Sequence, residues 1–136
     1  MTYLDICRAQ LPQDEGRKAF PYNDTEGIPT IGIGRNLQNG LSPDEINYLF
    51  ANDLKKADAS ARGLYPDFDA LSDNRRAVLV NMAFNLGSPR LAGFVKMRAA
   101  VLAGDFDRAA DEMLSSRWAT QVGQRAQRLA KMMREG

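Results

Sequence analysis

Three residues stand at intervals that could do chemistry: Glu15, Asp24 and Thr30. Glu15 lies in an Asp14-Glu15-Gly16 string, Asp24 follows nine residues later among turn formers, and Thr30 opens a β-branched run after six more. A carboxyl, a carboxylate and a hydroxyl thus flank one tight excursion of the chain. A hairpin folded back over a helix end would gather all three round one cleft. Hydrolysis of a glycosidic bond needs such a set, with two carboxyls on opposite sides of the bond, one protonated and one ionised. Spacing alone does not decide the matter, because Asp and Glu beside turns are mostly solvated or bonded to nearby backbone N–H groups.

Composition narrows the chemistry. The 136 residues include no histidine, which removes Ser–His and Cys–His dyads, His-bound zinc and any imidazole acid or base. A single cysteine, Cys7, excludes an internal disulfide or a thiolate cluster and reads as a small buried hydrophobe. A hydrolytic site built here uses carboxylates, hydroxyls, Lys/Arg or a carboxylate-held metal. With 44% hydrophobic residues the chain can fill the core of one ordinary domain. No stretch nears the roughly 18 apolar residues of a membrane span. The opening MTYLDICRAQ, with Asp5 and Arg8, is no secretory leader. The net charge of +1 is uneven: residues 1–73 hold 7 Lys/Arg against 12 Asp/Glu, and residues 74–136 hold 11 against 5. A basic half attracts polyanions, either nucleic acid or an anionic wall.

These groups need elements to position them. Residues 2–14 read as a helix with Leu4, Cys7, Arg8 and Leu11 near one face, kinked or delayed by Pro12. Asn23–Gly27 is a turn between Phe20/Tyr22 and Thr30-Ile31-Gly32-Ile33, a hairpin or small sheet in which Gly32 and Gly34 allow close backbone approach. Ser42-Pro43-Asp44-Glu45 starts a helix to about Gly63, long enough to connect two lobes. Ser72 opens a central helix that Gly87 closes, apolar nearly all round and therefore buried. Short helices follow at about 91–103, 106–114, 116–121 and 124–134. The expected class is α+β: a β lobe over about 15–42, a connecting helix over 43–63, and a helical lobe over 64–136 joined by the N-terminal helix.

The strings themselves are more specific than their spacing. Asp14-Glu15-Gly16, Tyr22-Asn23-Asp24-Thr25-Glu26-Gly27 and Thr30-Ile31-Gly32-Ile33-Gly34 closely resemble the signature of the phage-type lysozymes, glycoside hydrolase family 24. Asn52-Asp53, Asn74–Ala77, Asn81–Phe84, Ala92-Gly93-Phe94, Ser116-Arg117-Trp118 and Arg125-Ala126 extend the resemblance over essentially the whole chain. The resemblance implies a lysozyme-like fold. It also implies a muramidase that hydrolyses the β-1,4 bond between N-acetylmuramic acid and N-acetylglucosamine. Glu15 would protonate the glycosidic oxygen, Asp24 would activate a water, and Thr30 would hold that water. Arg125 matches an arginine that pairs with the catalytic Glu, while Asn81 and Phe84 would bind substrate or support the site. Where many relatives carry a His, which in the best-known member pairs with an Asp of the long helix, this chain has Arg35, so an Arg35–Asp53 ion pair is expected. No cofactor or metal is implied. The expected partner is the glycan strand of peptidoglycan, met by a monomer without nucleic acid or stable membrane association. The protein would wait in the host cytoplasm until a factor such as a holin gives access to the wall.

Other features have plainer readings. Trp118 and the six methionines are expected in the core, with Met132 and Met133 covering apolar surface near the chain end. Asn81 reaches the cleft or satisfies buried backbone, and both readings stand. Gly32-Ile33-Gly34 lacks the third glycine and following helix of a dinucleotide loop. Asp67-Phe68-Asp69 lacks the glycine and glutamate of a calcium loop. Two rival functions remain open from sequence: a lytic transglycosylase, which retention of Asp24 and Thr30 disfavours, and a non-catalytic wall-binding relative, which retention of Glu15 disfavours.

Overall fold

A computed structural model describes residues 1–136. The fold is α+β, as expected, and divides into two compact units, Met1–Asn47 and Tyr48–Gly136.

The first unit opens with α1 (Tyr3–Glu15). A capping box starts this helix. Thr2 Oγ1 accepts from the Asp5 N–H at 3.2 Å, and the Thr2 N–H donates to Asp5 Oδ2 at 2.9 Å. Pro12 neither delays nor ends the helix. It lies in the last turn, where its own carbonyl accepts the Gly16 N–H that closes the element. The Leu4, Cys7 and Leu11 face is not buried: Cys7 is an exposed thiol, which corrects its reading as a core residue. The sheet follows as three antiparallel strands in chain order, β1 (Lys18–Asn23), β2 (Pro29–Gly32) and β3 (Arg35–Asn36). Thr30 sits in its centre, opposite Tyr22 on one side and Asn36 on the other. A 3₁₀ turn (Leu37–Asn39) leads to α2 (Pro43–Leu64), whose capping box joins Ser42 and Glu45.

The second unit is helical: α3 (Asp73–Leu86), α4 (Ser88–Ala92), α5 (Val95–Leu102), α6 (Phe106–Leu114), α7 (Arg117–Val122) and α8 (Gln124–Glu135). Its core is centred on α3, where Val78, Leu79 and Met82 are wholly buried. Alanines at 109, 110, 126 and 130 let α6 and α8 approach closely beside Met113, Leu129 and Met133. Trp118 is buried as expected, and so are four of the methionines, with Met132 packed at the core's edge. Met1 is the exception, fully exposed at the terminus. The single helix expected over 91–103 is two. The chain tightens at Gly93 and Phe94, whose N–H groups bond back to Arg90 and Leu91, and α5 starts afresh. Arg98 supports the break by donating to the Ala92 carbonyl, which the interrupted helix leaves without a partner.

Candidate functional site

The β1–β2 turn fixes Asp24 through its own side chain. Asp24 Oδ1 accepts from the backbone N–H groups of Glu26 at 2.8 Å and Ile28 at 2.9 Å. The main chain closes the same loop, with the Asp24 N–H donating to the Ile28 carbonyl at 3.0 Å. One carboxylate oxygen is therefore structural, and Oδ2 takes no part in that lock. Short Asp side chains favour such turns because they can bond backbone two to four residues on.

Thr30 is tied to the same point. Its hydroxyl donates to the Ile28 carbonyl at 2.8 Å, so Asp24 and Thr30 converge on one oxygen. Thr30 is 4% exposed, and with its proton committed to Ile28 its hydroxyl can only accept from any further partner. The β-branched side chain restricts χ1, which holds the hydroxyl direction.

Glu15 ends α1 and lies against the β2–β3 turn. A Cβ placed on Gly34 would stand 2.8 Å from Glu15 Oε2 and 3.1 Å from its Cδ. The carboxyl thus occupies the space a side chain at position 34 would need. Gly34 also has φ +66°, a left-handed backbone that disfavours any other residue. The sequence marked Gly34 for close approach; the structure identifies Glu15 as the group that approaches.

Arg35 does not take the partner expected of it. Its guanidinium pairs with Glu45 Oε2 instead of Asp53. The cause is local. Glu45 is the third residue of α2, and its Oε1 already accepts the Ser42 N–H at 2.9 Å, which turns the carboxylate back toward β3. The Arg35 contact and the Ser42 N–H together lower the Glu45 pKa from 4.5 to about 2. Glu45 was legible in the sequence as a cap; its second role was not, because nothing in the pattern shows which residue its other oxygen meets.

In the second unit, Arg125 donates from Nε and a terminal nitrogen to Asn81 Oδ1, at 3.0 and 2.8 Å. Asn81 Oδ1 thus orients this guanidinium, a partner that neither sequence reading of Asn81 named. Phe84 is 43% exposed and meets Phe50 edge-on at 5.9 Å between centroids. Asp53 lines a pocket of about 310 Å³ with Lys56, Ser60 and Phe84. Trp118 donates to Asn85 Oδ1 at 2.8 Å, a partner that its reading as plain core packing did not supply. It borders a groove of about 600 Å³ that carries Arg90, Lys96 and Arg117 against Glu112.

Residues 12–135 match the family model described as Phage lysozyme. The chain is 28% identical to a probable T4-type lysozyme 2 of Dictyostelium discoideum, with 98% of this chain and 96% of that protein covered. It is 27% identical to an endolysin of Salmonella phage P22, over 77% of this chain and 76% of the relative. It is 29% identical to the pre-baseplate central spike protein Gp5 of Enterobacteria phage T4 over 93% of its own length, but it spans only 27% of that protein.

Proposed function

The chain belongs to the phage lysozyme family, and from that premise we propose that it hydrolyses the β-1,4 bond between N-acetylmuramic acid and N-acetylglucosamine in peptidoglycan. The observation that supports this reading is the lock on Ile28, whose carbonyl accepts both the Asp24 N–H and the Thr30 hydroxyl while Asp24 Oδ2 stays outside the hydrogen bonds of the turn. A water placed there donates one proton to Asp24 Oδ2 and the other to Thr30 Oγ1. Its lone pair is then directed at the anomeric carbon. Glu15 delivers its proton to the glycosidic oxygen as the bond from that oxygen to the anomeric carbon breaks. The water's oxygen bonds to the carbon from the opposite face, and Asp24 takes the released proton. The product has a new reducing end with inverted configuration. Arg125, its planar fork held by Asn81, is the second unit's candidate for gripping substrate oxygens.

The reading extends to a lytic role like that in the name of the P22 relative. No helix is long and apolar enough to cross a membrane. The protein made in a host cytoplasm would reach the wall with the help of a pore-forming factor such as a holin.

The test is mass analysis of wall fragments released by the protein and by Glu15→Gln. Reducing ends from the parent and no release by the variant are expected. Anhydro ends would mean transglycosylation, and release by the variant at the parent rate would remove Glu15 from the chemistry.

A further inference from the structure

A pocket of about 310 Å³ lies within the second unit, between the middle of α2 and the end of α3. That size is at the small end of the roughly 300–1,000 Å³ of small-ligand clefts, so it suits a unit as small as an amino acid better than a sugar chain. Its floor is Ala57 and Ala83, both buried, and the hollow exists because each helix presents only a methyl group there. The pocket shares no residue with the Glu15, Asp24 and Thr30 set.

The rim carries charge of both signs. Asp53 and Lys56 stand one turn apart on α2, and they form no ion pair. Elsewhere in the chain opposite charges at such spacing close on each other: Arg8 with Asp5, Arg62 with Asp58 and Arg76 with Asp73. Asp53 also lacks the cation expected of it, because Arg35 turns to Glu45. The Ser60 and Ser88 hydroxyls line the same space and bond no protein group, and each can donate to a carboxylate or accept from an ammonium. Phe84 adds a half-exposed ring for an ammonium to lie against. A simple anion would be repelled by Asp53, and a simple cation by Lys56. A ligand that carries both charges a short distance apart escapes both repulsions. The ammonium and carboxylate on one carbon of an amino acid are such a pair.

We propose that this pocket binds an amino-acid zwitterion, its ammonium at Asp53 and Phe84 and its carboxylate at Lys56 and the two serines. The zwitterion is either a free amino acid or one borne at the end of a longer chain, since both present the same two charges. The assignment stands apart from the hydrolase reading, because cleavage of wall by the protein neither requires it nor follows from it. Exposed charges are screened by solvent, so affinity of about millimolar order is expected. The test titrates the full chain with alanine and follows backbone amide resonances. Shifts at Asp53, Lys56, Ser60, Gly87 and Ser88 are expected. N-acetylalanine, which lacks the ammonium, and alaninamide, which lacks the carboxylate, should each bind about three- to tenfold more weakly than alanine. Asp53→Asn and Lys56→Gln should each weaken alanine binding by a similar factor. Both residues are exposed, so both variants should match the parent in urea denaturation. Lys55→Gln removes a neighbouring exposed cation that lies outside the pocket, and it should bind alanine like the parent. Nε-acetyl-lysine carries the zwitterion on a long chain: tighter binding than alanine identifies the chain-borne source, and weaker binding identifies the free amino acid. Three results would overturn the site: no shift in the pocket, equal binding of alanine and either single-charge analogue, or a loss in Lys55→Gln as large as that in Lys56→Gln.

Discussion

Gly34→Ala separates the cost of folding from the cost of chemistry. The new methyl meets two obstacles. The backbone is left-handed at φ +66°, where a residue with a Cβ costs roughly 1–2 kcal/mol. The methyl also stands 2.8 Å from Glu15 Oε2, and ordinary contact begins at 3.4 Å, so the carboxyl must retreat by about 0.6 Å. Glu15 is the end of a flexible side chain, and its retreat adds little to the folding cost. If Glu15 is the acid, as proposed, the displacement matters more to catalysis, since a misplacement of about 1 Å in a reacting group costs on the order of 10²-fold. A loss of roughly ten- to a hundredfold in rate is expected. A domain with the usual 5–15 kcal/mol of stability stays almost wholly folded after losing 1–2.

Gly32→Ala is the control. Gly32 has φ +68°, nearly the same strain, and nothing within 4 Å of its Cβ position. Urea denaturation should show similar shifts for the two variants. Initial rates of turbidity loss on permeabilised cells should fall much further for Gly34→Ala. Equal rates for the two would refute the reasoning, because they would show that the contact with Glu15 has no bearing on activity.

Asp24→Asn keeps an oxygen for the Glu26 and Ile28 N–H groups, so it should fold like the parent and lose turnover; Asp24→Ala should also lose about 1–3 kcal/mol in urea titration. Glu45 has a folded pKa near 2 against an ordinary 4.5, so its contribution to stability is complete above about pH 4.5 and fades as pH falls through 2. The stability gap between the parent and Glu45→Gln should therefore shrink across that window in acid titrations, and a constant gap would dismiss the ion pair. Arg75 donates to the carbonyls of Met133 and Arg134 at 2.8 and 3.1 Å and stacks on Phe106. Arg75→Met should lower stability by about 2–3 kcal/mol by urea denaturation and loosen the end of α8 in amide exchange.

The sequence revealed what is local and missed what is not. Caps and turn formers act on backbone two to four residues away, so α2 and α3 start where Ser42 and Ser72 indicate, and the turn at Asp24 lies where its composition puts it. Periodicity failed at Gly93 and Phe94, because apolar spacing on either side continues smoothly while the hydrogen bonds tighten for two residues. The Arg35 partner failed for a different reason. Positional likeness to relatives pointed to Asp53, but a carboxylate with two oxygens can cap a helix and bind a cation at once, and Glu45 does both. Asn85 beneath Trp118 and Glu15 against Gly34 are meetings of residues distant in sequence, which no single pattern encodes.

The two units hold their side chains by different means. Around α3, position follows from packing, and a truncation such as Leu79→Ala leaves a cavity costing about 2–5 kcal/mol. Between Met1 and Asn47 the one buried residue is Thr30. There the geometry depends on directional contacts: two N–H groups on Asp24, one carbonyl shared with Thr30, one glycine against Glu15 and one carboxylate bridging Ser42 and Arg35. Hydrogen bonds contribute modestly to stability but fix direction closely, whereas apolar burial contributes more and fixes direction poorly. A group that must donate or accept a proton at a set angle is therefore better held by the first kind of contact. Substitutions in the β turns should accordingly damage rate out of proportion to stability, and substitutions in the core around α3 should do the opposite.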